Sequence, residues 1–191
     1  MRALVEEHGP LSLGARRRGR PTDAYGTLVR SIVGQQLSTR AAESIYRRVL
    51  ELFGGEVPKP AGLIALDPET LRGAGLSRAK VAYLRDLAGR VEDGDLDLDR
   101  LAELSDAQVV EQLTAVKGIG QWSADMFLIF HLGRPDVLAV GDLGIRRAAE
   151  RAYGLAELPD AETLNRIAEP WRPYRSLACL YLWTSLDNEP V

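Results

Sequence analysis

Hydrophobic residues recur every three or four positions along most of this chain, which is the spacing of amphipathic helices. The clearest run begins after Ser38, and Gly54-Gly55 ends it. The pattern contains no sustained strand alternation and no internal repeat, so the predicted fold class is all-α. The predicted helices lie after Ser38, over 68–73 and 78–91, near 99–104, after Ser105, over 121–132, after Asp142, near 160–168, and over 177–183.

A tight glycine turn, Val116-Lys117-Gly118-Ile119-Gly120, separates two of these predicted helices. Ser105 with Gln108 forms a capping box ahead of the first helix, and 121–132 carries the second. Such a turn needs glycine because it requires positive φ and because a missing Cβ lets backbone N–H groups approach a bulky anion. We therefore expect a nucleic-acid phosphate at this turn.

The size and composition of the chain argue against a membrane-spanning or secreted protein. The chain has 191 residues, 46% of them hydrophobic, which suffices for one large domain or two small ones. Its longest apolar run, Met126–Leu132, is far shorter than the ~20 residues of a membrane span. Its first ten residues lack the apolar core of a signal peptide. We expect no membrane association and a cytoplasmic location.

Charge and cysteine content exclude further kinds of chemistry. A formal net charge of −3 argues against nonspecific coating of nucleic acid, although backbone amides can still grip a few phosphates. The single cysteine, Cys179, excludes an internal disulfide and a four-cysteine cluster, and two histidines argue against a metal-activated hydrolase. Positive charge is concentrated at Arg16, Arg17, Arg18 and Arg20, with no role assigned.

Leu113–Ala124, together with Val140-Gly141-Asp142, resembles the helix-hairpin-helix and Gly/Pro-Asp signature of a DNA glycosylase superfamily. Within it the chain is most similar to the alkylbase branch, the 3-methyladenine DNA glycosylase II type. Supporting matches lie far apart, so the resemblance covers about residues 24–185. They are Ile32–Ser38, Gly75–Lys80 and Trp171–Ser176.

The resemblance implies two helical subdomains with a discontinuous boundary. Residues 24–133 are expected to form a helical barrel that ends in the helix-hairpin-helix. Residues 1–23 with 134–191 are expected to close the second subdomain, with the active-site cleft between the two. A chain of this length is expected to lack the additional N-terminal β domain of larger relatives.

Asp142 is the expected catalytic residue. Its position directly before Leu143, at the start of a predicted helix, also suits an N-cap, and both roles can coexist. The resemblance implies that its carboxylate stabilises an oxocarbenium-like sugar and orients or deprotonates the attacking water. A cationic alkylated purine leaves as a neutral base, so we expect neither a strong general acid nor a cofactor.

The resemblance also implies a pocket for a base extruded from the duplex. Relatives that also cut the DNA backbone place a lysine nucleophile where this chain has Trp122, so we expect a monofunctional enzyme without AP-lyase activity. Aromatic and methionine side chains at helical spacing also serve as ordinary core, which is the alternative here. The residues matching the pocket positions are Trp122, Met126, Leu143 and Trp183.

Two segments are expected to contact DNA. Gln36 matches the residue that fills the gap left by the extruded base, assisted by Gln35 or Leu37, and a simple polar corner is the alternative. Hairpins of this family often also hold a monovalent cation through main-chain carbonyls, and no other metal is indicated. The hairpin residues assigned to DNA are Lys117, Gly118, Ile119 and Gly120.

The leading hypothesis is a monofunctional DNA glycosylase of base excision repair. It would remove N-alkylated purines, such as 3-methyladenine or 7-methylguanine, from double-stranded DNA and act as a monomer. One alternative is a non-catalytic DNA-binding protein in which Asp142 only caps its helix. Another is a glycosylase for a different damaged purine.

Overall fold

The computed structural model describes residues 1–14 and 21–186, and no strand occurs in these ranges. The predicted all-α class is therefore confirmed. No helix in the described part of the chain combines the length and apolar character needed to cross a bilayer. The helices are α1 (Arg2–His8), α2 (Ala24–Gly34), α3 (Thr39–Glu51), α4 (Pro60–Ala65), α5 (Pro68–Gly73), α6 (Arg78–Glu92), α7 (Asp106–Thr114), α8 (Gln121–Met126), α9 (Leu143–Tyr153), α10 (Ala161–Ala168) and α11 (Arg175–Thr184).

The chain divides into two compact units. One, called here the hairpin unit, contains residues 21–124 of the described chain. The other, called the Asp142 unit, contains residues 1–14 and 125–186. The chain passes from the first unit to the second within α8, between residues 124 and 125. The boundary implied by the resemblance lies later in the chain, at residue 133.

Side-chain caps begin most helices of the hairpin unit. The side chains of Ser38, Asp67 and Ser77 accept backbone N–H bonds from the first turns of α3, α5 and α6. Ser105 does the same for α7, and Gln108 returns the bond, which completes the predicted capping box. These helix starts depend on neighbouring residues only, and the sequence therefore predicted them.

α6 is central to the hairpin unit, because it packs against α2, α4 and α5. It buries an apolar face that includes Leu84 and Leu87, neither of which is exposed. Burying each leucine stabilises the fold by about 1.5–3 kcal/mol. The other faces of α6 carry polar and aromatic side chains, some of which contact the end of α2 and the glycine turn at 116–120.

α11 has the corresponding place in the Asp142 unit, where it packs against α1 and α9. Its first turn anchors the loop that leads to Asp142. Arg175 donates to both carboxylate oxygens of Asp136, at 2.7 and 3.0 Å, and Ser176 Oγ accepts from the Val137 N–H at 2.9 Å. The Arg175 hydrogen bond lowers the pKa of Asp136 despite partial burial, so this carboxylate stays ionised at neutral pH.

Some elements differ from the predicted helices. α1, α2 and α4 lie outside the predicted set; α1 and α4 have only 7 and 6 residues, too few for a clear period. The predicted helix over 121–132 changes at Phe127 into a π-helical turn that ends at Gly133, whose φ is +69°. The expected helix near 99–104 is a 3₁₀ turn, Arg100–Glu103.

Candidate functional site

Asp142 is a buried carboxylate at the N-terminus of α9, with 9% of the residue exposed. Its Oδ1 accepts a hydrogen bond from the Ile145 N–H at 2.8 Å, so the predicted capping role is confirmed. Its own N–H donates to the Ala139 carbonyl at 3.0 Å and closes the preceding turn. The backbone on both sides thus determines where this carboxylate lies.

Trp183 is the second partner of the carboxylate. Its indole Nε1–H donates to Asp142 Oδ1 at 3.0 Å, and the side chain is 1% exposed. The indole also packs against Phe130, with ring centroids 5.7 Å apart. Two N–H donors on one oxygen restrict the carboxylate to a single orientation. Sequence reasoning assigned Trp183 to base stacking; the contact with Asp142, 41 residues away, was not foreseen.

Asp125 and Cys179 are two further buried side chains of the Asp142 unit, at 4% and 0% exposure. Burial raises the pKa of the Cys179 thiol to about 12, and the nearby carboxylates of Asp142 and Asp125 act in the same direction. Cys179 is therefore an inert core thiol. Asp125 was missed, although a lone acid at the edge of the apolar run 126–130 was a visible signal.

The four residues assigned to the base pocket have different environments. Leu143, beside Asp142, is 47% exposed, whereas Met126 is 9% exposed and belongs to the core of the Asp142 unit. Trp122 is half-buried in the hairpin unit. Trp183 is enclosed, as described above. Their grouping into one pocket stays a prediction.

Gly118 and Gly120 serve different purposes in the hairpin. Gly118 has φ +80°, and a Cβ there would collide with the ring of Tyr83. The predicted need for positive φ is thus confirmed at Gly118. Gly120 is not among the positive-φ glycines, so only the second expected reason for glycine, the missing Cβ, can apply to it. No atom lies within 4 Å of a Cβ placed on Gly120, so this position is open to an approaching group.

The hairpin amides are partly used within the protein. The Lys117 N–H donates to Asp86 Oδ2 at 2.9 Å, and the Ile119 N–H donates to the Val116 carbonyl at 3.1 Å. These two amides are therefore used within the protein, and the Ile119 side chain is also buried; the assignment of Lys117 and Ile119 to DNA contact stays a prediction. The described residues provide no acceptor for the amides of Gly118 and Gly120.

Asp86, on α6, was not identified from the sequence, yet it holds the hairpin. Besides accepting the Lys117 N–H, its carboxylate forms ion pairs with Lys117 Nζ, 3.3 Å from Oδ1, and with Arg90 Nε, 3.0 Å from Oδ2. Burial alone would raise the pKa of Asp86, but the hydrogen bonds from Lys117 and Arg90 outweigh burial and lower it. The Lys117 side chain remains 71% exposed, so its charge is accessible.

The corner after α2 contains the three residues assigned to the DNA gap. Gln36 is exposed, with φ +59°, and Leu37 is half-buried. Gln35 Nε2 donates to the Gly118 carbonyl at 2.8 Å, so this side chain contacts the hairpin, and its assisting role in the gap stays a prediction. The exposed Gln36 fits the assigned wedge role, which stays a prediction.

Two further expectations concern the arginine cluster and a bound cation. Four arginines, Arg16 to Arg18 and Arg20, lie outside the described residues. Within the described ranges, no three His, Cys, Asp or Glu side chains come together as a metal site. A monovalent cation at the hairpin carbonyls stays a prediction.

Residues 29–173 match the family described as HhH-GPD superfamily base excision DNA repair protein. The Bacillus subtilis protein YfjP, described as a candidate DNA-3-methyladenine glycosylase, is 31% identical over 97% of this chain. The match covers 65% of that relative, so the chain spans slightly less than two thirds of its length.

Two solved structures are similar over nearly the whole chain. A DNA-3-methyladenine glycosidase from Bacillus halodurans has a TM-score of 0.83 and 43% identity, covering 96% of this chain and 82% of that one. The 3-methyladenine DNA glycosylase of Schizosaccharomyces pombe, in complex with abasic DNA, has a TM-score of 0.78 and 29% identity. That match covers 98% of this chain and 97% of the other.

Proposed function

Because the chain belongs to the HhH-GPD superfamily of base excision DNA repair proteins, we propose that it is a DNA glycosylase for N-alkylated purines. Its substrates are 3-methyladenine and 7-methylguanine in duplex DNA, and its product is an abasic site. The observation that carries this proposal is the Asp142 carboxylate, buried and held by two N–H donors directly before an exposed Leu143. The similarity to a glycosylase solved with abasic DNA supports a DNA partner.

The chemistry needs one oriented anion. As the N-glycosidic bond breaks, positive charge develops on the sugar, and a carboxylate shielded from water stabilises that charge strongly. Asp142 is pre-oriented by Ile145 and Trp183, so it does not reorganise when the charge appears. The alkylated purine departs as a neutral base, and water completes the reaction at the sugar.

DNA binding uses the hairpin and the corner after α2. The amides of Gly118 and Gly120, with the exposed charge of Lys117, grip a backbone phosphate. Gln36 fills the space left by the extruded base. We assign no base-specific contact to these residues, which suits an enzyme that searches any sequence for damage.

The enzyme is further proposed to be a monofunctional monomer. Position 122, where lyases of this family carry a nucleophilic lysine, is Trp122 here. Borohydride reduction during turnover on damaged DNA tests this, because a lyase becomes covalently trapped through its Schiff base. A trapped protein–DNA adduct would contradict the monofunctional assignment, and sedimentation with a bound duplex would test the monomer.

An Asp142→Asn variant tests the catalytic role. Asparagine caps a helix as well as aspartate does, so folding should be preserved while the negative charge is lost. We expect excision from methylated DNA to fall by at least about 10²–10³-fold with unchanged DNA affinity. The matched control is Asp160→Asn, because Asp160 caps α10 through the Thr163 N–H and is exposed. Equal excision by Asp142→Asn and the parent would leave Asp142 as a cap only.

A panel of damaged duplexes tests the substrate class. We expect release of 3-methyladenine and 7-methylguanine from randomly methylated DNA. Release of 8-oxoguanine without any methylated purine would replace the proposed substrate with an oxidised one and leave the role of Asp142 intact.

A further inference from the structure

The corner between α2 and α3 has a backbone conformation that its residues do not favour. Gln36 is the only non-glycine residue of the described ranges with positive φ, at +59°. L side chains rarely adopt this left-handed conformation, so neighbouring groups must hold it in place. Those groups come from α6 and from the hairpin.

Lys80, on α6, holds the end of α2 directly before Gln36. Its Nζ donates to the carbonyl oxygens of Val33 and Gln35, both at 2.7 Å. Carbonyls at a helix C-terminus lack helical partners, and a cation is favoured there. Burial lowers the pKa of this ammonium, and the two carbonyls offset the cost of its burial.

Gln35 joins the corner to the hairpin. Its Nε2 donates to the Gly118 carbonyl at 2.8 Å, across 83 residues of sequence. Lys80 therefore holds the Gln35 backbone while the Gln35 side chain holds the hairpin. The corner and the hairpin cannot shift independently without losing one of these bonds.

The same helix also supports the hairpin directly. Tyr83 packs against Gly118 so closely that a side chain there is excluded, and Asp86 binds both the N–H and the Nζ of Lys117. Lys80, Tyr83 and Asp86 are three residues apart, so they lie along one face of α6. This stripe of α6 touches both segments to which DNA contacts are assigned.

We propose that Lys80, Tyr83 and Asp86 are positioning residues that fix the distance between Gln36 and the phosphate-binding hairpin. The inference rests on the proposed function, because the distance between Gln36 and the hairpin matters only if both segments contact DNA. Gripping one phosphate then places Gln36 at the base stack, so strand binding and base extrusion become a single event. This preorganisation matters for duplex DNA, where a base must leave a stack, and not for single strands.

The ratio of excision rates on duplex and single-stranded DNA measures this effect. The test compares single-turnover release of 7-methylguanine from one oligonucleotide, alone and annealed to its complement. A Lys80→Met variant keeps the chain length and removes the ammonium; we expect its duplex-to-single-strand ratio to fall about tenfold or more. A merely structural role would lower both rates together and leave the ratio unchanged, which would overturn the inference.

A matched control and a second variant keep the test decisive. Lys59→Met removes an exposed lysine at the start of α4 that makes no capping bond, and it should leave the ratio at the parent value. If Lys80→Met does not fold, Gln35→Met tests the same linkage by removing only the bond to Gly118. An unchanged ratio in Gln35→Met would then overturn the inference.

Gln36→Ala separates the inference from the proposed function. An unchanged ratio in Gln36→Ala would remove the wedge role from the proposed function, and the inference with it. A lowered ratio in Gln36→Ala with parental ratios in Lys80→Met and Gln35→Met would keep the wedge and overturn only the positioning role. If Lys80 acts through Gln36, the double variant matches Gln36→Ala, whereas multiplied losses would contradict the inference.

Discussion

α11 and α6 each hold one functional segment, but with different kinds of contact. Beyond the ion pair at its first turn, α11 is buried and holds the Asp142 loop with uncharged donors, the Ser176 hydroxyl and the Trp183 indole. α6 is partly buried along the face that holds the corner and the hairpin, and there it uses the full charges of Lys80 and Asp86.

The difference follows from the cost of removing charge from water. A second charge buried beside Asp142 would lose its hydration, and a neutral N–H satisfies the carboxylate without that loss. On α6, partial exposure lowers this penalty, so ammonium and carboxylate groups can anchor backbone over long sequence separations. We therefore expect changes near Asp142 to reduce the chemical rate, and changes on α6 to disturb geometry and DNA binding.

The largest effect is expected for Gly118→Ala. The new Cβ meets the Tyr83 ring and is placed on a left-handed backbone, so we expect the free energy of unfolding to fall by about 2–5 kcal/mol. Denaturant unfolding measures this. Gly120→Ala is the control, because its Cβ meets nothing and its stability loss should stay below about 1 kcal/mol. Similar losses in both variants would show that Tyr83 does not restrict the hairpin.

A smaller effect, on the excision rate, is expected for Trp183→Phe. Phenylalanine keeps an aromatic ring but removes the N–H on Asp142. A hydrogen bond to a charged group contributes about 1.5–3 kcal/mol, so single-turnover excision should slow by about 10–100-fold. Trp171→Phe is the matched control, since that indole donates to the Tyr153 hydroxyl at 3.1 Å in the same unit. Equal slowing in both variants would assign the effect to packing.

An effect confined to alkaline pH is expected for Cys179. The unfolded thiol ionises near its ordinary pKa of 9.0, whereas burial raises the pKa in the folded state to about 12. Above pH 9 the unfolded state alone releases this proton, so the contribution of Cys179 to stability is full below pH 9 and declines toward pH 12. Comparing unfolding free energies of the parent and Cys179→Ala over this range isolates the thiol. A constant difference between them would contradict its burial as a thiol.

Much of the fold was predictable because short-range chemistry controls it. Ser77 and Ser105 begin helices wherever they precede an apolar run, and Asp142 caps α9 for the same reason. Gly118 was expected at positive φ from the turn alone. The exceptions were α2, the short helices α1 and α4, where too few residues establish a period, and the π-helical turn after Phe127.

The amino-acid order was sufficient for the class of the fold, the helix starts and the residue on which the proposed chemistry depends, since each is specified by side chains a few positions apart. Tertiary packing alone decided which distant residues contact these segments. It brought Trp183 to Asp142, Lys80 to the end of α2 and Asp86 to Lys117, and it engaged the hairpin amides of Lys117 and Ile119 within the protein. Such pairs leave no local pattern, because a buried donor needs an acceptor in space and places no constraint on its distance along the chain.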